Sequence, residues 1–137
     1  MRLYQAPFTR DNLSSSWYGY LKDPSKGSVM FRASYIQVTE LNGSGLITVI
    51  DLVYFYMLKE IELDRASYSE WAKQFIPRRR TQLIAAGRTQ DAVKFVNDSK
   101  LFVAWILSEI DTGMWTFYMG HSWDNTDMLM ALKHTST

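Results

Sequence analysis

Seven consecutive apolar residues, Leu101-Phe102-Val103-Ala104-Trp105-Ile106-Leu107, constrain this chain more than any other stretch. On a helix such a run covers every face, so the segment Lys100 to Ile110 is expected to be a central core helix wrapped by the rest of the protein. A preceding helix opens at Thr89-Gln90-Asp91 and carries Ala92, Val93, Phe95 and Val96. Asn97-Asp98-Ser99 either breaks the two apart or lets them run together. A chain of 137 residues can enclose a core of this kind without crosslinks. It has to, because it contains no cysteine. That absence also excludes disulfide scaffolds, zinc–cysteine modules and thiol catalysis.

Helical signals extend upstream. Ser67-Tyr68-Ser69-Glu70 has capping-box spacing, with Trp71 and Phe75 one turn apart behind it. Pro77 stops that helix or starts the next, and Gly87 is placed to end the segment Arg78 to Ala86 in a left-handed conformation. Residues 1–45 read differently, rich in Ser, Gly, Tyr and turn formers. Asp23-Pro24-Ser25-Lys26-Gly27 marks a turn, and Val29 to Val38 reads as a strand. After Asn42-Gly43-Ser44-Gly45 the chain faces a choice. Ile47, Val49 and Ile50 favour a strand closing a hairpin, whereas Met57-Leu58-Lys59-Glu60-Ile61-Glu62-Leu63 favours a helix capped by Ser44. Eighteen residues is long for a strand, so Leu46 to Leu63 is expected to be a mostly buried helix. A short strand at Met114–Met119 and a closing helix at Asp124–Lys133 complete the expectation. The fold class is α+β, mainly helical, with a small N-terminal hairpin or sheet. It forms one domain over 1–137, divided into a turn- and strand-rich part (1–45), a helical part (46–110) and a closing part (111–137).

The formal charge of +1 gives no global pull toward polyanions or anionic membranes. Locally the balance differs. Between Arg65 and Lys100 stand eight Lys and Arg against three acids. Lys73, Arg78, Arg79, Arg80 and Arg88 form a candidate site for nucleic acid or another anion, since an arginine triplet just after Pro77 could pair guanidinium forks with the free N–H groups of a helix start. A second constellation, His121-x-x-Asp124-x-x-Asp127 with His134 beyond, has donors that suit a metal or a general base. Asp124 is better explained as a helix cap, so no metal or other cofactor is expected. No nucleophile elbow, Walker loop or paired carboxylates occur, and catalysis gains no support.

The aromatic content is high, at 15%. Trp17, Tyr18, Tyr20, Trp115, Phe117, Tyr118 and Trp123 fall in segments read as loops, turns or short strands. Tyr and Trp anchor protein interfaces at low entropy cost. Trp17, Tyr18, Tyr20, Trp115, Tyr118 and Trp123 are therefore the candidate partner-binding residues. The functional expectation is a non-enzymatic interaction protein: a small subunit of a larger assembly, viral or mobile-element in origin, or an inhibitor of a protein partner. The partner is another protein or further copies of the chain, with nucleic acid at the basic segment as the alternative. The longest apolar run is too short to span a bilayer and the N-terminus lacks a signal-like stretch, so the expected residence is cytoplasmic, with no membrane partner.

Overall fold

The computed structural model describes residues 2–23, 26–39, 43 and 45–134, with backbone alone at Tyr20, Leu21 and Asp23. It is α+β. Strands β1 (Leu3–Gln5) and β2 (Asn12–Ser15), β3 (Tyr20–Asp23) and β4 (Ser28–Phe31), and β5 (Tyr35–Thr39) and β6 (Leu46–Ile50) form three antiparallel pairs. Helix α1 (Asp51–Phe55) follows β6. Strand β7 (Lys59–Ile61), helices α2 (Arg65–Ala85) and α3 (Thr89–Glu109), and strands β8 (Trp115–Met119) and β9 (Met130–Lys133) complete the chain. The order β7-β8-β9 makes a three-stranded antiparallel sheet with β8 in the middle.

That sheet divides the interior into two cores because side chains alternate across a strand. Phe117 of β8 and Ala131 of β9 face the helices, packing with Tyr68, Ile106, Trp71 and Phe102. Tyr118, Met130 and Leu132 face the other way, toward Ala6, Leu13, Leu52 and Leu58. On α2 the buried residues Tyr68, Ala72, Phe75 and Leu83 fall on one stripe at helical spacing. Trp71 and Phe75 stack at 5.0 Å.

Several expectations need correction. The segment 46–63 is not one helix but β6, the single-turn α1 and β7. The β-branched run Ile47-Thr48-Val49-Ile50 pairs with β5, with Ile36 against Val49 and Val38 against Ile47. Asp51 ends the strand: its carboxylate accepts from the backbone N–H groups of Ser34 (2.9 Å) and Leu52 (2.7 Å). Ser44, the cap expected for the longer helix, lies outside the described residues. Helix α2 starts earlier than the capping box suggested, because the Asp64 carboxylate caps it by accepting from Ser67 N–H at 2.8 Å. Pro77 neither stops nor starts a helix. It sits inside α2 and removes only the bond its N–H would have made one turn back. Gly87 does close α2: Gly87 N–H donates to Ile84 O and Arg88 N–H to Leu83 O, a Schellman end with Gly87 at φ 75°.

Asn97-Asp98-Ser99 leaves α3 unbroken. The helix is not wrapped on every side, since Val93, Leu101 and Ala104 are exposed and only Ala92 and Ile106 are fully buried. It lies along α2 and the sheet with one face outward. Finally, no closing helix forms. Met130 to Lys133 are β9, paired with β8 from Trp115↔Lys133 to Tyr118↔Met130. Among the described residues no helix is long and apolar enough to cross a membrane.

Candidate functional site

The segment between β8 and β9 is irregular, yet it is held from three sides. Asp127 is fully buried, and its carboxylate accepts from the backbone N–H groups of Thr9 (2.6 Å), Phe8 (3.2 Å) and Met128 (2.7 Å). Trp71 of α2 donates its indole N–H to Asp127 O at 3.0 Å. Arg78 of α2 donates to the carbonyl and hydroxyl of Thr126 and lies over the Phe8 ring at 3.6 Å. Asp11, also buried, accepts from Ser122 N–H (3.0 Å) and Ser122 Oγ (2.6 Å). Gly120 passes so close to Asp11 that a Cβ there would meet Oδ2 at 2.4 Å. Burial alone would push the Asp11 carboxyl up. The two Ser122 hydrogen bonds, the neighbouring His121 and the Thr9 hydroxyl together outweigh that and hold it below its ordinary value.

This clamped segment presents Trp123 to solvent. The residue closes the turn Gly120–Trp123 with its N–H on Gly120 O, holds φ at 61°, and is 64% exposed. A non-glycine residue rarely adopts such a backbone, and it costs of order 1–3 kcal/mol. Met57 repeats the pattern. Helix α1 ends in a Schellman arrangement, Met57 N–H to Tyr54 O and Leu58 N–H to Val53 O, in which the position that glycine fills at Gly87 is taken by methionine at φ 52°. Its side chain is 59% exposed, beside Phe55 (60%) and Tyr54 (44%). Two residues on, Lys59 leans over Trp123 with Nζ 5.4 Å from the ring centroid and makes no ion pair among the described residues. The chain from Tyr54 to Lys59 and the Trp123 turn thus carry four exposed apolar side chains and one cation without a carboxylate. This group offers apolar contact and one positive charge to a ligand.

Of the aromatic residues expected as anchors whose side chains are described, only Trp17 (80% exposed) and Trp123 stand out from the surface. Tyr118 is a core residue, and burial raises its phenol above the usual range. Trp115 is half-buried and packs edge-on against Trp105 at 5.0 Å; Tyr18 is half-buried against Tyr56 at 6.0 Å. Trp115 and Tyr118 are rim and core residues because β8, though short, faces a core on each side, and Tyr18, in the 3-10 turn Ser16–Tyr18, packs against the core of Leu13 and Leu52. The side chain of Tyr20 lies outside the described residues. Sequence reasoning missed Tyr54, Phe55 and Met57 because it placed them in a buried helix. The β-branched run before Asp51 was the signal that would have freed them.

The basic residues are dispersed. Arg78, Arg79 and Arg80 sit in the middle of α2, where the backbone N–H groups are spent within the helix, so the helix-start setting expected for an anion is absent. Arg78 is engaged with Thr126 and Phe8. Arg79 extends the buried stripe of α2 and donates to Gln82 Oε1 at 2.6 Å; burial and the charges of Arg88 and Arg10 lower its pKa against the pull of Asp127. Arg88 pairs with Asp91 at 2.8 Å, and Lys73 and Arg80 are exposed. The His121, Asp124 and Asp127 constellation does not converge either. Asp127 is spent on backbone N–H groups and Asp124 on Thr126, His121 stands 3.5 Å from Asp11, and His134 meets the Thr116 hydroxyl at 2.8 Å. Among the described residues no group of three potential metal ligands forms.

A family model described as translationally controlled tumour protein matches residues 37–137. The chain is 29% identical over 91 residues to the translationally-controlled tumor protein homolog of Debaryomyces hansenii, covering 66% of this chain and 52% of the relative. It thus spans about half the length of the curated relative it matches. It is also similar in fold to the translationally controlled tumor-associated protein of Schizosaccharomyces pombe, with a TM-score of 0.81 at 21% identity over 98% of this chain and 88% of that one.

Proposed function

Because the chain belongs to the translationally controlled tumour protein family, we propose that it acts as a non-enzymatic protein-binding module that receives a partner at the surface carried by Met57 and Trp123. Membership overturns the expectation of a viral or mobile-element assembly subunit, and of an inhibitor. The two relatives described above are proteins of yeasts, and the family is one of cellular proteins.

One observation carries the reading. Of the three described non-glycine residues that hold left-handed backbones, Arg10, Met57 and Trp123, the last two each place a large apolar side chain in water. Nothing in the fold of the free chain rewards this, whereas a partner would. The clamped turn lowers the ordering cost on binding, as preorganised interfaces do. Lys59 sets the chemistry of the partner: a protein that offers an apolar side chain beside a carboxylate. A second copy of the chain fits less well, because a twofold contact at this patch would bring two Lys59 ammonium groups together.

The test compares capture by the wild-type chain and by a Phe55→Ser, Trp123→Ser double variant from extract of the source cells. Both side chains are exposed, so the variant should melt within a few degrees of the wild type. The expected result is a partner retained by the wild type and reduced about tenfold by the variant. Equal retention by a folded variant removes this surface from the function.

A further inference from the structure

The molecule contains a second feature that the protein-binding surface does not use. A cleft of about 1450 Å³ runs beneath β4, past the edge of β9 and along α3, larger than the roughly 300–1,000 Å³ of common ligand pockets. It reaches both cores, from Leu13 and Leu52 to Tyr68 and Phe102. Its lining is mostly apolar, but three lining residues carry buried polar atoms with no hydrogen-bond partner: Tyr68 Oη, Trp115 Nε1 and Ser28 Oγ. Tyr68 is 1% exposed, and an unmade hydrogen bond at such a site is costly in the free protein. At the Trp105–Trp115 end Lys133 lines the cleft and Lys26 stands beside Trp105 just outside the lining. Lys133 Nζ lies 5.5 Å from the Trp105 ring centroid and 5.8 Å from that of Trp115, and Lys26 Nζ is 5.1 Å from Trp105. Glu109 pairs with Lys133 at 2.8 Å, which leaves one cation over among the described residues.

We propose that this cleft binds a single-chain fatty acid, with the hydrocarbon against Phe102, Val103, Met130 and Leu132 and the carboxylate meeting Lys26 and Lys133 beside Trp115. An elongated apolar space that joins two cores suits an extended chain. The carboxylate supplies the acceptor that the indole N–H lacks and the negative charge that the second lysine lacks. The wall that closes the cleft is held in place by Gly27, whose φ of 62° and missing Cβ let β4 sit against the Asp98 carbonyl.

The experiment titrates the full chain with the fluorescent fatty acid cis-parinaric acid and displaces it with palmitate or its uncharged methyl ester. The expected result is saturable one-to-one binding, displaced by palmitate about tenfold more effectively than by the ester. A Lys26→Gln, Lys133→Gln variant should bind about tenfold more weakly. Tyr68→Phe should bind about as tightly as the wild type with no loss of melting temperature, since the hydrocarbon offers that hydroxyl no partner and the free protein has no hydrogen bond there to lose. A probe signal that never saturates overturns the proposal, as does full affinity retained by the lysine variant.

Discussion

Asp11 shows how a single side chain sets the site. It reaches across 111 positions of sequence to Ser122 and fixes the start of the segment that presents Trp123. Its carboxyl is held below the ordinary 3.8, so its contribution to stability is complete above that pH and is lost as pH falls through the lower folded value. Asp11→Asn should cost about 1–3 kcal/mol at neutral pH, and the stability difference between variant and wild type should shrink below about pH 4. Chemical denaturation at pH 7 and pH 3 measures both. A pH-independent difference would mean that the charge of Asp11 is irrelevant. Nothing local in the sequence marks this residue, because its role is created by a partner more than a hundred positions away. The same holds for Asp127, which the sequence offered as a metal ligand and the fold spends on Phe8 and Thr9.

At the scale of elements, the same helix ending occurs twice with opposite chemistry. Helix α2 closes on Gly87, which adopts its left-handed backbone freely, while α1 closes on Met57, which does not. Met57→Gly should therefore stabilise the chain by about 0.5–1 kcal/mol while weakening partner capture about fivefold. A melt and a capture assay on the same variant check it; stabilisation with unchanged capture would make Met57 an accident of sequence. What was legible among the elements follows the range of the forces that make them. The long helical region, the Gly87 stop and strand β8 are written locally. The segment 46–63 and β9 are not. Within the helix-favouring runs Met57 to Leu63 and Met128 to Lys133, Lys59–Ile61 and Met130–Lys133 become strands because β8 offers pairing on both sides. Pro77 misled for a related reason, since packing of Trp71 and Phe75 holds α2 together across one missing hydrogen bond.

The whole molecule exposes 8859 Å², about a fifth more than the roughly 7,400 Å² usual for a compact chain of 15.9 kDa. That excess is nearly twice the roughly 800 Å² that one partner buries in an interface of standard size. The sequence announced the surplus through its aromatic content and misassigned its location: Tyr118 and Trp115 went inward, and Tyr54, Phe55 and Met57 came out. Hydrogen–deuterium exchange on the chain, free and bound to its captured partner, tests the central claim most directly. The binding surface argued here requires new protection at residues 52–58 and 121–124, with the outer face of α3 unchanged. Protection on the outer face of α3, with none at those two segments, would contradict it.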